Sequence, residues 1–245
     1  MPDSICGGAE EHPAVRWSFD LGSGVVPWVD PSPPDPGRLR HARWIRSRSG
    51  AGHVPTWAYS VTLRRHLRLE SGLEHDLVRV LDHDPEVAWL VSQPAVLSWQ
   101  TAPKLGRRSH IPDMLSVSTT GAVVLWDVRP AVLQDARFLE QSAVTRSASR
   151  AIGWGYQVFS GLDGVHRANL MWLDGFRRDQ PWYAPALAEL EGGPITLGEV
   201  VERDGGGGHL ISAIWNALRV GTWTCDLTAP LTRSTVLDRA VGADL

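Results

Sequence analysis

Apolar and polar positions follow no regular period at the start of the chain, and the pattern sharpens near residue 63. Leu73, Leu77, Val80 and Leu81 recur at the three- and four-residue spacing that gathers side chains on one helix face, so an amphipathic helix is expected up to about His83. Asp84-Pro85 ends it, because the residue before a proline is driven out of the helical region. Val87–Val91 and Ala95–Gln100 then read as strands, Thr101–Arg108 as a polar loop, and Ile111–Ser118 as the next strand. Thr119-Thr120-Gly121 is a turn. Ala122–Val128 is an apolar strand suited to the interior of a sheet, and Pro130, which cannot donate to a ladder, stops it.

Residues 135–152 form a second expected helix with Gly153 at its end, Tyr156–Ser160 a further strand, and Val165–Arg177 a third helix. Helix, strands, helix, strand, helix is the order of an α/β fold, a mixed sheet flanked by helices. Pro- and Gly-containing residues 179–194 read as a linker. After it come Leu197–Val201, a four-glycine turn at Gly205–Gly208, a helix near His209–Leu218 and an alternating stretch at Gly221–Leu227. Helix, turn, helix and β-wing make a small winged-helix-like region; the alternative is that these pieces complete the main domain. The Pro/Gly/Ser-rich residues 1–37 read as mostly irregular, with Trp17, Trp28 and Trp44 pinning them to the body of the protein. The expected organisation is a lead-in with a basic run over 1–60, a core domain over 61–178 and an appendage over 179–245.

Composition changes this picture little. The chain has 245 residues, 43% hydrophobic and 21% charged, as ordinary globular domains do. No apolar run reaches membrane-spanning length, and the start shows no basic-then-apolar leader. Cys6 and Cys225 lie far apart and match no metal-ligand or disulfide spacing, which places the expected compartment in a reducing cytoplasm. The net charge of −3 excludes a uniformly basic nucleic-acid binder, but the arginines are clustered. Arg38, Arg40, Arg43, Arg46 and Arg48 form one run, Arg64, Arg65 and Arg68 a second, and Lys104, Arg107 and Arg108 a third. A single run is usually a solvated face; three in the first half suggest a phosphate-binding surface. Lys104 is the chain's only lysine.

Three carboxylates on three elements carry the candidate chemistry. Asp127 ends an otherwise apolar strand on the face shared by Val123 and Leu125, where a carboxylate needs a metal, a cation or water. A hairpin through Gly121 can bring Asp113 alongside it. Glu74 lies on the apolar stripe of the first helix, three residues before Leu77 and seven before Leu81. Converging hard oxygen ligands suit Mg²⁺ or Mn²⁺. Taken alone, the three acids also read as surface carboxylates, with Asp127 paired to Arg129. His110 is a candidate donor to a phosphate or a solvent-facing side chain, Glu70 a fallback ligand, and Gln93 a hydrogen-bonding group near the site or a turn residue before Pro94. His75 and His83 read as helix-surface residues. Gly205–Gly208 lacks the lysine and hydroxyl spacing of a phosphate loop.

An ordered series of short motifs ties these residues together. Ser71-Gly72-Leu73-Glu74 is followed by Leu81-Asp82-His83-Asp84-Pro85-Glu86-Val87, Ser92-Gln93-Pro94, His110-Ile111-Pro112-Asp113 and Asp127-Val128-Arg129-Pro130. The series, over roughly residues 65–160, resembles the TnsA-like transposon endonucleases. The resemblance implies a PD-(D/E)xK, restriction-endonuclease-like domain that hydrolyses a phosphodiester at a transposon end. It implies Glu74, Asp113 and Asp127 as ligands of Mg²⁺ or Mn²⁺, with DNA, a DDE-type transposase and an ATPase regulator of transposition as partners. Two positions depart from the family. Asp127 stands where the final motif has another acid or an amide, and Arg129 stands where it has lysine. Arginine is always protonated and cannot act as a base, although it can stabilise charge on phosphoryl oxygens. Lys104 is a candidate substitute for the missing lysine. The alternative function is a non-cleaving subunit that binds DNA or the transposase.

Overall fold

The computed structural model describes residues 13–42, 56–101, 106–190 and 193–240. Along the chain run β1 (Val15–Asp20), β2 (Val25–Pro27), β3 (Thr56–Ser60), β4 (Arg65–Leu69), α1 (Gly72–His83), β5 (Val87–Ser92), β6 (Ala95–Gln100) and β7 (Arg107–His110). Then follow β8 (Met114–Ser118), β9 (Val123–Val128), α2 (Ala136–Ala151), β10 (Gly155–Phe159), α3 (Gly164–Leu173) and α4 (Tyr183–Ala188). The chain continues through β11 (Ile195–Thr196), α5 (Leu197–Asp204), α6 (His209–Val220), β12 (Trp223–Thr224) and β13 (Val236–Arg239). It is a mixed α/β protein, and among the described residues no helix is long and apolar enough to cross a membrane. The chain divides into two compact units, one drawn from Met1–Arg46 and Leu90–Phe159, the other from Ser47–Trp89 and Ser160–Leu245.

In the first unit β8 and β9 form an antiparallel hairpin, and β10 joins β9 in parallel after the α2 crossover, in the sheet order β10-β9-β8-β5. A parallel neighbour cannot be reached by a tight turn, which is why a helix intervenes. A second sheet runs β2-β1-β6-β7. Trp17 and Phe19 from β1 stack at 5.7 Å and meet Trp154 edge-on at 5.9 and 6.0 Å, so the lead-in is pinned by an aromatic cluster. Trp28 joins it, 5.7 Å from Phe19. Trp44 lies outside the described residues.

Two expectations for this unit need correction. The lead-in was expected to be irregular, yet Val15–Asp20 pairs with β6 over five residues. Residues 101–108 were expected to be a loop running into a strand from Ile111. Instead Arg107–His110 is a separate strand on β6, and the next begins at Met114. β7 is a sheet-edge strand made of Arg, Arg, Ser and His, so it carries no apolar alternation to betray it.

In the second unit α1 starts at Ser71, whose hydroxyl accepts from the Glu74 N–H at 3.1 Å, and stops at Asp84 before Pro85. Leu77, Val78 and Leu81 are buried, and the β3–β4 hairpin packs on the helix. Asp76 binds Arg79 at 2.6 Å and Arg167 at 2.7 Å, while Asp174 binds Arg79 at 2.9 Å and Arg219 at 3.3 Å. This network ties α1 to α3 and α6. The core of the unit gathers Leu170, Leu173, Leu187, Val200, Ile214, Leu218 and Leu237.

The stretch 179–194, expected to be a linker, contains α4, with Tyr183, Ala186 and Leu187 buried in that core. Pro185 misleads here. It sits in the first turn, where the missing N–H has no intrahelical partner to lose. The expected strand over 221–227 shrinks to Trp223–Thr224, and its partner is Val236–Arg239. The last three strands are ordered β11-β13-β12. His75 and His83 are also partly covered, not on an open helix surface.

Candidate functional site

The β8–β9 hairpin sets two carboxylates side by side. Met114 pairs with Trp126 across the ladder. Just before it, the Asp113 N–H donates to the Trp126 carbonyl at 2.9 Å, and Asp113 Oδ2 accepts from the Val128 N–H at 2.7 Å. Asp113 therefore grips the backbone on both sides of Asp127. The ladder ends here because Pro112 lacks an N–H.

Asp127 is 1% exposed, on the same face as buried Leu125. Its Oδ1 lies 2.8 Å from His110 Nε2, and its Oδ2 accepts from the Tyr156 hydroxyl at 2.6 Å. The Tyr156 oxygen is also 3.0 Å from the Ser142 hydroxyl, and the Arg146 guanidinium lies 5.4 Å over the Tyr156 ring. Burial and then the adjacent Asp127 charge hold the Tyr156 phenol well above its ordinary range, keeping it a protonated donor. β7, β9, β10 and α2 thus each contribute to one buried network, whose carboxylate is paired as burial demands.

Arg129 does not pair with Asp127. Its Nε donates to the Leu133 carbonyl at 2.9 Å, and its guanidinium lies 5.8 Å over the Phe138 ring. Gln93 holds the hairpin from another side: its N–H donates to the Asp113 carbonyl at 2.9 Å, and its own carbonyl accepts from Ala42 at 2.8 Å. It has φ of 48°, an unusual conformation for a residue preceding proline. Its side chain is buried, with no hydrogen-bond partner for Oε1 among the described residues.

Glu74 belongs to the second unit. It is buried beside Leu77 and Leu81 on α1, as the stripe implied. Oε1 accepts from the Ser71 hydroxyl at 2.8 Å and Oε2 from the Glu70 N–H at 2.9 Å. These contacts make it a helix-capping residue. Lys104 lies outside the described residues. Within each unit, among the described residues, no three His, Cys, Asp or Glu side chains are grouped to hold a metal ion. The sequence reading thus located the Asp113–Asp127 adjacency and missed Tyr156 and Ser142. A tyrosine inside an alternating strand carries no signal of an acid 29 residues away.

No protein-family model and no curated protein matches the chain.

Proposed function

We propose that this chain is a metal-dependent DNA endonuclease subunit of a heteromeric transposase, with a restriction-endonuclease-like domain of the TnsA-like type. It would cleave a phosphodiester at a transposon end alongside a DDE-type transposase and an ATPase regulator. The observation that supports this best is the placement of Asp113 and Asp127 on neighbouring ends of one hairpin, extended by a helix and a parallel strand.

The donor set fits a hard divalent cation. Each carboxylate oxygen offers two lone pairs, and one at each Asp127 oxygen is engaged by His110 and Tyr156. Asp113 and Asp127 would hold Mg²⁺ or Mn²⁺. When bound, the ion lowers the pKa of water and offsets charge developing on the phosphate. The protein's own part is orientation: Tyr156 and His110 fix the Asp127 carboxylate, and Val128 fixes that of Asp113. Arg129 supplies charge and no base.

A second reading is favoured by three contacts. Both Asp127 oxygens already accept hydrogen bonds, and the Arg129 guanidinium is held over Phe138. That arrangement suits a non-cleaving subunit that retains binding to DNA or the transposase. In the winged-helix-like run from α4 to β13, α6 has the place of a recognition helix. Yet Leu210, Ala213, Ile214, Ala217, Leu218 and Arg219 are all buried, so it has no wide face to lay in a major groove. Nicking of supercoiled plasmid in Mg²⁺ or Mn²⁺, with and without the transposase, decides the matter. The endonuclease predicts metal-dependent nicking abolished by Asp113→Ala. Absence of nicking in every condition, with binding retained, leaves the non-cleaving subunit.

A further inference from the structure

The β3–β4 hairpin of the second unit has two faces of opposite chemistry. Alternation buries Ala58, Ser60, Leu67 and Leu69. It sends Trp57, Tyr59, His66 and Arg68 to the other side. The register sets Trp57 opposite Arg68 and Tyr59 opposite His66. Trp57 is 63% exposed and Tyr59 40% exposed. The His66 ring lies 5.3 Å from that of Tyr59, and Arg177 reaches over the same ring at 5.8 Å. Neither Thr56–Ser60 nor Arg65–Leu69 contains an acidic residue. Asp82 is committed to the turn, accepting from the Ser60 hydroxyl at 2.7 Å and from the Val61 and Thr62 N–H groups at 2.8 and 3.3 Å. The hairpin is therefore held in shape before anything binds.

We propose that this face binds single-stranded DNA. Trp57 and Tyr59, two residues apart on one face and so about 7 Å apart, receive two successive bases by stacking. Arg68 and Arg177 meet the phosphates that flank them. Paired bases are stacked inside a duplex and offer no free ring face, so an unpaired segment is the better fit. An apolar protein surface would leave the arginines facing no charge, whereas a phosphate backbone complements them. The proposal names where the substrate strand is gripped and in that respect rests on the nuclease reading; its test needs no cleavage.

The experiment is fluorescence anisotropy of a labelled oligo-dT with the full chain in EDTA. Trp57→Ala and Tyr59→Ala are each expected to weaken binding about tenfold. Arg68→Ala and Arg177→Ala are expected to weaken it and to lower the salt slope by about 0.7 for each arginine–phosphate pair removed. Trp57 and Tyr59 are exposed, so an unchanged urea midpoint separates lost binding from lost folding. A Trp57→Ala/Tyr59→Ala variant with wild-type affinity would overturn the proposal. So would equal, substitution-insensitive binding of blunt duplex, or a variant that loses self-association and keeps the oligonucleotide. Asp113→Ala is expected to bind oligo-dT normally. Binding that depends on Trp57 without any nicking sinks the nuclease alone, and nicking by a chain whose oligo-dT binding ignores Trp57 and Tyr59 sinks this proposal alone.

Discussion

Asp127 shows at a single residue how burial dictates partners. A carboxylate 1% exposed is tolerated only because donors reach both oxygens. Tyr156→Phe removes the 2.6 Å donor and leaves Oδ2 inside a covered site. The expected loss is about 1–3 kcal/mol of unfolding free energy, read as a lower urea midpoint with an unchanged slope. A midpoint equal to wild type would mean that water reaches Asp127. Sequence reading reached the demand for a partner but not the partner. The Asp127–Arg129 pair of the alternative, surface-acid reading does not form, since Arg129 finds a carbonyl four residues on and an aromatic ring at Phe138. Glu74 was ambiguous for a different reason. Ser-x-x-Glu before an apolar run is itself a capping signature, so one motif serves a helix start and a ligand reading equally well.

Elements with a strong period were legible, and those defined by their partners were not. α1 and β6 fall where the pattern put them, and α2, whose apolar period is weak, lies within a residue of the expected 135–152 on the strength of its ends. β7, β13 and α4 did not, because an edge strand needs no alternation and a six-residue helix is too short for a period to register. Close approaches between elements are invisible to periodicity as well. Gly198, in the first turn of α5, donates to the Arg233 carbonyl at 2.7 Å, and a Cβ there would come within 2.8 Å of that same oxygen. Backbone cannot swing aside as a side-chain tip can. Gly198→Ala is therefore expected to destabilise the second unit by about 1–3 kcal/mol, against the small gain that alanine usually brings to a helix. Thermal unfolding checks the sign; a stabilised variant would show that the Arg233 segment yields.

Among the described residues, two histidines held below their ordinary range lie together in the second unit. Burial lowers His75 and His83 below their ordinary 6.5, with nearby Arg79 and Arg219 adding to it. Both histidines sit on α1 in the second unit, and His83 Nδ1 is buried with no hydrogen-bond partner among the described residues. Below pH 6.5 the unfolded chain takes up protons at these positions before the folded chain does. Their contribution is thus present above 6.5 and lost as pH falls through the depressed folded values. Alkali acts on both units with the opposite sign. Burial and then Asp226 push Cys225 up to about 11, and burial and then Asp127 raise Tyr156, so unfolded thiol and phenol ionise first and stability falls as pH rises beyond 9 and 10. Urea titrations across pH separate the limbs. A His75→Gln/His83→Gln variant is expected to flatten the fall from pH 6.5 to 5 and leave the alkaline side alone. Tyr156→Phe is expected to flatten the fall above pH 10 and leave the acid side alone, whatever its cost at neutrality. An acid limb unchanged in the double variant would place the titrating groups outside α1 and remove the histidines from the account.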